Sequence, residues 1–240
     1  MRTRYWLGAA VAVLALNTAQ AHEAWITPAD SGYQVVYGHH DEAESYAPAK
    51  VKSLEAWSAE GKELPVTRYD KDSAVGFSVE GQPAIFGLAF DNGFWSKAPG
   101  EKHKNLPKDQ NPGAESGSHP VKFHKRIEQW SDVVTAGLGL EAELVPNQAV
   151  APKAGDELTL QLLYKGEPAS NWEISLGGSH DVNAHTDAKG YVTVPVNAGE
   201  NSISASHTIE LSDTTQADVY SITTNLRFQA AEASTSSVDE

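Results

Sequence analysis

The sequence predicts a mostly β protein built from two β-sandwich-like units. Short runs rich in β-branched and aromatic residues recur along the chain, and such residues favour strands. Turn-forming Gly, Pro, Asn and Asp separate these runs roughly every eight to twelve residues. Few stretches show the three-and-four spacing of an amphipathic helix. Regular short strands with regular turns are typical of sandwiches and barrels.

Residues 1–21 have the features of a secretory signal peptide. Arg2 and Arg4 precede an uncharged apolar run at 6–16, and Ala19 and Ala21 form a small-residue cleavage site. The apolar run is too short to span a bilayer. We therefore expect cleavage after Ala21, a location in the periplasm or outside the cell, and no direct membrane insertion after processing.

The composition limits the partners of the chain. Its formal net charge is −14 over 240 residues, and it has no cysteine. An exported protein without disulfides must rely on its hydrophobic core. The negative charge argues against nucleic acid and anionic membranes as partners. It is compatible with capture of cations and equally with simple solubility in a crowded cell envelope.

The first predicted unit covers residues 22–137. Strand-like runs occur at residues 32–38, 64–69, 74–79 and 84–90. Residues 91–120 are rich in Pro, Gly, Ser and Asn and predict a long loop, which is either functional or disordered; we expect disorder. Residues 121–134 fit a short helix as well as a strand.

The second predicted unit covers residues 138–229. Residues 157–164 alternate between apolar and polar, and Thr186-Asp187-Ala188-Lys189-Gly190-Tyr191 suits a tight turn. This unit resembles transthyretin-like and collagen-adhesin B-type immunoglobulin-like modules, a resemblance that implies a fold and no particular chemistry. Residues 230–240 are small, polar and acidic and predict a disordered tail.

His22 is the central candidate for a functional residue. Cleavage after Ala21 would give it a free α-amine beside its imidazole, and both groups can bind as neutral nitrogens near neutral pH. Together they can chelate one divalent transition metal ion. Amine and imidazole nitrogens suit nickel, cobalt, copper and zinc. Trp25 is expected to pack against the fold and to hold this segment in place.

Two nitrogens alone make a weak site, so further ligands are needed. His39 and His40 follow a predicted strand that can run beside the N-terminus. Adjacent strand residues point to opposite faces, so we expect only one of the two to face the site. Three nearby carboxylates are candidate ligands or hydrogen-bond partners of ligands: Glu23, Asp41 and Glu42. The remaining histidines of loops and turns are expected to be solvated side chains: His103, His119, His124, His180 and His185.

Several short motifs give the chain a family resemblance. They are His22-Glu23-Ala24-Trp25-Ile26-Thr27-Pro28, Gly38-His39, Leu140-Glu141-x-x-Leu144-Val145-Pro146, Thr186-Asp187-x-x-Gly190 and Ala205-Ser206-His207. In this order they resemble a bacterial periplasmic family of unknown-function domains that is described as the periplasmic component of cobalt/nickel ABC uptake systems. The resemblance implies divalent metal binding outside the inner membrane. It singles out His22, His39 and His207 as ligands.

The sequence thus favours a non-enzymatic periplasmic protein that binds a divalent transition metal and delivers or buffers it, with a membrane metal transporter as partner. Nickel or cobalt is favoured, and copper or zinc also fits the ligands. One alternative is a histidine-brace copper enzyme that acts on polysaccharide. Another is a structural or adhesive β-sandwich module. No nucleophile–base pair, phosphate-binding loop or paired acids point to a hydrolase.

Overall fold

The computed structural model describes residues 22–39, 42–179 and 181–232, and strands dominate these residues. The prediction of a mostly β, sandwich-like fold is confirmed. The predicted signal peptide lies outside the described residues. The described part of the chain contains three short 3-10 helices, at Pro48–Lys50, Lys108–Gln110 and Asp132–Thr135. Within this same part, no helix has the length and apolar character needed to cross a membrane.

The strands form three sheets. A five-stranded sheet has the order β1-β2-β6-β5, with β3 also paired to β2. Its members are β1 (Glu23–Ala29), β2 (Gly32–His39), β3 (Glu42–Ala43), β5 (Val66–Lys71) and β6 (Ala74–Val79). A four-stranded sheet centres on β11. Its members are β10 (Ala142–Pro146), β11 (Glu157–Tyr164), β12 (Glu167–Pro168) and β15 (Tyr191–Pro195).

The third and largest sheet has eight strands, in the order β14-β13-β16-β17-β9-β7-β4, with β8 also paired to β9. Its members are β4 (Val51–Trp57), β7 (Ile85–Asp91), β8 (Trp95–Lys97), β9 (Ser116–Ile127), β13 (Glu173–Leu176), β14 (Ala184–His185), β16 (Glu200–Glu210) and β17 (Val219–Gln229). It pairs strands from both predicted units, because β9 and β17 lie side by side in parallel. Continuous backbone hydrogen bonding therefore joins the two sides of the boundary predicted at residues 137 and 138.

The large sheet is shared by two hydrophobic cores. Side chains alternate along a strand, so Ile85 of β7 packs into one core and its neighbour Phe86 into the other. One core lies against the five-stranded sheet and includes Ile26 and Tyr37. The other lies against the four-stranded sheet. The sheet common to both cores thus carries the N-terminal strand on one face.

Residues 91–120 have a packed conformation instead of the expected disorder. They include β8, a 3-10 helix and the start of β9. Ser96 and Asn111 are buried, and the Asn111 Nδ2 donates to the Ser96 Oγ at 3.0 Å. Of the two alternatives for residues 121–134, the strand holds as far as Ile127, and a 3-10 helix follows at Asp132–Thr135.

The first residues of the predicted tail are attached to the fold. The backbone N–H of Ala230 donates to the carbonyl of Gly199 at 2.9 Å, and that of Ala231 donates to the carbonyl of Pro152 at 2.8 Å. Residues 233–240 lie outside the described residues. The tail prediction therefore does not apply to residues 230 and 231.

One buried surface of β9 and β17 is polar. Lys122 and His124 of β9 lie beside Thr223 and Asn225 of β17. The Lys122 ammonium donates to the Thr223 Oγ1 at 3.1 Å, and His124 Nδ1 lies 3.0 Å from the Asn225 Oδ1. Burial lowers the pKa of Lys122 to about 8, although the Glu23 carboxylate opposes this shift. Burial also lowers the pKa of His124 well below its usual value.

We predict that Lys122→Met stabilises the protein at pH 7. Below pH 8 both the folded and unfolded wild type carry a charged lysine, and only the folded state must bury it. Between pH 8 and 10.5 the lysine is neutral in the fold and protonated in the unfolded chain. The free energy of unfolding of the wild type should therefore rise with pH across this window. The stability difference between the wild type and Lys122→Met should disappear by the end of it.

Denaturant unfolding at pH 7, 8, 9 and 10 measures this difference. The lowered pKa of Lys122 corresponds to a stability difference of about 3 kcal/mol at pH 7. Lys62→Met, at an exposed lysine, is the control and should show no such pH dependence. A stability difference for Lys122→Met that stays constant from pH 7 to 10 would contradict the assignment.

Candidate metal site

The antiparallel pairing of β1 and β2 determines where His22 lies. In this register Glu23 is opposite Gly38, and Ala24 is opposite Tyr37. Continuing the register by one residue places His22 opposite His39. Directly opposed residues of neighbouring strands have Cβ atoms about 5 Å apart. The two imidazoles are therefore brought together by strand pairing, as the sequence predicted for one member of the His39–His40 pair.

The described part of the chain contains one group of at least three His, Asp or Glu residues able to hold a metal ion: His22, His39 and Glu44. One donor atom from each lies within 4.8 Å of the others. The His22 and His39 ring centroids are 4.0 Å apart, with 44° between the ring planes. The His22 Nε2 lies 2.6 Å from the Glu44 Oε1. We refer to these three residues as the His–His–Glu cluster.

A hydrogen bond links the His22 imidazole to the Glu44 carboxylate. An ionised carboxylate only accepts hydrogen bonds, so the His22 Nε2 carries the proton and donates it. The carboxylate thereby orients the Nε2 edge of the ring. A carboxylate that orients a histidine in this way is a usual partner of metal-binding histidines. The side chains of His22 and Glu44 are 27% and 47% exposed, which leaves the cluster open to an incoming ion.

Aromatic packing supports the cluster from below. The His22 ring stacks on Tyr37, with centroids 5.2 Å apart and 12° between the planes. Tyr37 in turn stacks on Phe90 at 5.0 Å. The Tyr37 hydroxyl accepts a hydrogen bond from the Asn92 Nδ2 at 2.9 Å. Burial, together with the nearby Glu44 carboxylate, raises the pKa of Tyr37 to about 12. The floor of the cluster is therefore a fixed, neutral phenol.

The β2–β3 hairpin brings Glu44 to the cluster. The Glu44 N–H donates to the Tyr37 carbonyl at 2.7 Å, so the chain after β3 stays beside β2. Gly38 has a φ of +150°, and a Cβ there would lie 2.0 Å from the Glu42 carbonyl oxygen. Only glycine allows this close approach of the two strands. The Gly38-His39 pair thus combines a backbone requirement with a candidate ligand.

The structure brings to the cluster a carboxylate, Glu44, that the sequence did not suggest. Glu42 of β3 is exposed and lies opposite His39 of β2. Glu23 points to the opposite face of β1, where it contacts Arg227. Neither belongs to the His–His–Glu cluster. Glu44 was not predicted, because its position depends on the length of the hairpin. The two remaining candidates, His40 and Asp41, lie outside the described residues.

The structure does not bring His207 to His22. His207 points to the same face of β16 as Ile203 and Ala205, because the three residues are spaced two apart along the strand. Ile203 and Ala205 lie in the core against the four-stranded sheet. Its ring stacks on Trp172, with centroids 5.2 Å apart. Ser204, on the opposite face of β16, hydrogen-bonds to Glu23. The large sheet therefore lies between His207 and the N-terminal strand, and the role that the family resemblance implied for His207 has no geometric support.

Two other histidines have local partners. The His119 Nε2 lies 2.7 Å from the Asp91 Oδ1, and the His119 ring stacks on Phe94 at 4.4 Å. His124 is fully buried beside Asn225. The expectation of a solvated loop residue is therefore wrong for His124, because it lies within β9 and faces the interior.

The donor atoms of the His–His–Glu cluster fit a transition metal ion. Imidazole suits zinc, copper, iron and nickel, whereas an oxygen-only set would suit magnesium or calcium. Two imidazoles and one carboxylate at mutual distances below 4.8 Å form a set that a first-row ion can gather with small side-chain movements. The exposed position leaves coordination positions for water or for an exchanging ligand.

The chain is similar to proteins of one family. The family model that matches residues 19–209 is described as a domain of unknown function (DUF4198). A Haemophilus influenzae protein with the name "Uncharacterized protein" is 30% identical over 222 residues, which cover 91% of this chain and 95% of that relative. No solved structure matches significantly. The resemblance to immunoglobulin-like modules and the association with cobalt and nickel uptake therefore stay predictions.

We predict that Gly38→Ala disrupts the His–His–Glu cluster. The new Cβ would collide with the Glu42 carbonyl, so β3 and Glu44 must move away from β2. The strain should lower the free energy of unfolding by about 1–3 kcal/mol, as measured by denaturant unfolding. Gly166→Ala is the control, because Gly166 also has a positive φ but nothing within 4 Å of the added Cβ. Equal losses in the two variants would show that the hairpin contact is unimportant.

Proposed function

The chain belongs to the DUF4198 family, and we propose that it is an exported, non-enzymatic protein that binds a divalent transition metal ion. The observation that carries this proposal is the His–His–Glu cluster, in which the residue after the predicted cleavage site meets a second imidazole and a carboxylate. In this role the protein would capture the ion in the periplasm or outside the cell and deliver it.

Processing would complete the site. Cleavage after Ala21 would add the α-amine of His22 to the donor set. The amine and the His22 Nδ1 can then close a chelate ring, which needs little further ordering of the chain. The contact between the His22 Nε2 and Glu44 is compatible with this mode, because the chelate ring would use Nδ1, the ring nitrogen that is nearer to the α-amine in the covalent structure of histidine. His39 would supply a third nitrogen, and Glu44 would orient the first imidazole.

A second binding mode uses side chains alone. In that mode His22 would release its hydrogen bond and bind through Nε2, with His39 and the Glu44 carboxylate as the other ligands. Processing would then be irrelevant to affinity, and Glu44 would contact the ion. The two modes make opposite demands on the α-amine and on Glu44, so variants can separate them.

The ligands favour late first-row ions. An amine and imidazoles suit nickel, cobalt, copper and zinc, and raw affinity alone favours copper. The similarity of the sequence motifs to cobalt/nickel uptake components makes nickel or cobalt our choice of cargo. The partner that receives the ion would be a membrane metal transporter. The acidic character of the chain, with a net charge of −14, would attract cations toward the protein.

We predict that metal affinity depends on correct N-terminal processing. Protein beginning at His22 should bind Ni²⁺ on the order of tenfold or more tightly than protein that retains Ala21, because the extra residue converts the amine into an amide. Isothermal titration calorimetry of the two proteins under identical buffer conditions measures this difference. Equal affinities would remove the amine from the site and leave the side-chain mode.

We also predict that His39→Ala and Glu44→Gln weaken binding by different amounts. Loss of His39 removes a ligand in both modes. Glu44→Gln should lower Ni²⁺ affinity by about 10–100-fold if Glu44 orients His22, and by more if it binds the ion. His207→Ala is a matched control, because His207 lies on the other side of the large sheet. Unchanged affinity in both cluster variants would refute the proposed site.

A further inference from the structure

The residue after His22 has a buried charge that the proposed metal site does not use. The Glu23 side chain is 12% exposed, and its Oε2 lies 3.2 Å from the Arg227 Nη2. The Asn225 Nδ2 approaches both Glu23 oxygens, at 3.4 and 3.5 Å, and the Ser204 hydroxyl donates to Oε1. These partners belong to β16 and β17, so a single side chain of β1 is bound by two strands of the large sheet.

Trp25 extends the same attachment. It is 7% exposed, and the Arg227 guanidinium lies 4.3 Å from the centre of its ring. Glu23 and Trp25 share one face of β1, whereas His22 and Ala24 share the other. Arg227 therefore contacts both Glu23 and Trp25, on the face of β1 turned away from the His–His–Glu cluster. The prediction that Trp25 packs against the fold and holds the N-terminal segment agrees with this arrangement.

The Asn225 side chain, which lies beside these contacts, is itself hydrogen-bonded. The Asn225 Nδ2 also donates to Ser202 and Ser204, each at 2.9 Å, and the Asn225 Oδ1 accepts from His124. The Asn225 amide thus has partners on both its Oδ1 and its Nδ2, whereas the buried His124 Nε2 and Arg227 Nε have no hydrogen-bond partner among the described residues. Chain termini are normally mobile unless they are attached. β1 lies at the edge of its sheet, so its paired strand β2 holds it from one side only.

We infer that Glu23 is a positioning residue, whose contacts with Arg227, Asn225 and Ser204 hold residue 22 beside His39. This inference deepens the proposed function and rests on it for its metal-binding consequence. A chelating terminus must be fixed closely to bind well. Apolar packing alone tolerates small sliding of an edge strand, whereas a buried ion pair with Arg227 and a hydrogen bond from Ser204 do not. The anchor lies on the opposite face of β1 and so supplies no ligand.

The experiment compares Glu23→Gln with the wild type, both beginning at His22. Glu23→Gln keeps the shape of the side chain and removes its charge. The first measurement is amide hydrogen exchange of residues 24–26 in the metal-free proteins. The second is Cu²⁺ affinity together with the electron paramagnetic resonance spectrum of the bound ion. We expect exchange on the order of tenfold faster, about 10–100-fold weaker binding and an altered spectrum.

Glu143→Gln is the matched control. Glu143 of β10 forms another deeply buried ion pair, in which the Lys125 Nζ lies 3.0 Å from its Oε2, and the Lys125 and Glu143 side chains are 0% and 2% exposed. The variant therefore loses a comparable charge on the opposite face of the large sheet, because Lys125 and its neighbour His124 point to opposite faces of β9. Ser204→Ala is a milder second variant that removes one hydrogen bond to Glu23 and stays informative if Glu23→Gln does not fold. It should shift exchange and affinity in the same direction by a smaller factor.

The outcomes separate the two proposals. Unchanged exchange at residues 24–26 in Glu23→Gln, or in Ser204→Ala where the first variant does not fold, would overturn the anchoring role. Equal effects of Glu143→Gln on β1 and on the copper spectrum would also overturn it, because they would indicate a general loss of stability. Absence of Cu²⁺ and Ni²⁺ binding by the wild type would refute the proposed function instead, and the exchange data would still decide whether Glu23 anchors the segment.

Discussion

The candidate site depends on the backbone pairing of β1 with β2. This antiparallel ladder runs from Glu23 opposite Gly38 to Ala29 opposite Gly32. A slip by one residue would exchange the two faces of β1. His22 would then leave His39, and Glu23 would leave Arg227. One register thus places His22 beside His39 on one face of β1 and Glu23 beside Arg227 on the other. The same register places Ala24 and Ile26 in the core.

The large sheet connects the N-terminal strand to both hydrophobic cores. One of its faces supports β1 with polar side chains of β9 and β17, and the other face packs into the second core. Burying Lys122 and Arg227 between sheets is unfavourable unless they are paired and hydrogen-bonded. Glu23 supplies the charge partner of Arg227 at this position. The N-terminal strand therefore balances charge within the fold as well as presenting His22.

The aromatic floor connects the core to the cluster. Phe90 of β7, Tyr37 of β2 and the His22 ring form a continuous stack. The Tyr37 hydroxyl is held by Asn92, which also accepts a hydrogen bond from the Lys50 ammonium. Three separate parts of the chain thus determine the position of one imidazole. Such support limits the rearrangement that an ion would have to induce, which favours tight binding.

The sequence by itself determined the fold class, the candidate role of His22 and the neighbourhood of His39. Local residue patterns decide these features, since strand alternation and turn residues act over a few positions. Only the tertiary structure decided that Glu44 completes the cluster, that Glu23 faces Arg227 and that His207 lies across the large sheet. These placements depend on hairpin length and on pairings between residues as far apart as Glu23 and Arg227. Local pattern contains no information on such distant partners, because their positions are set by how sheets pack.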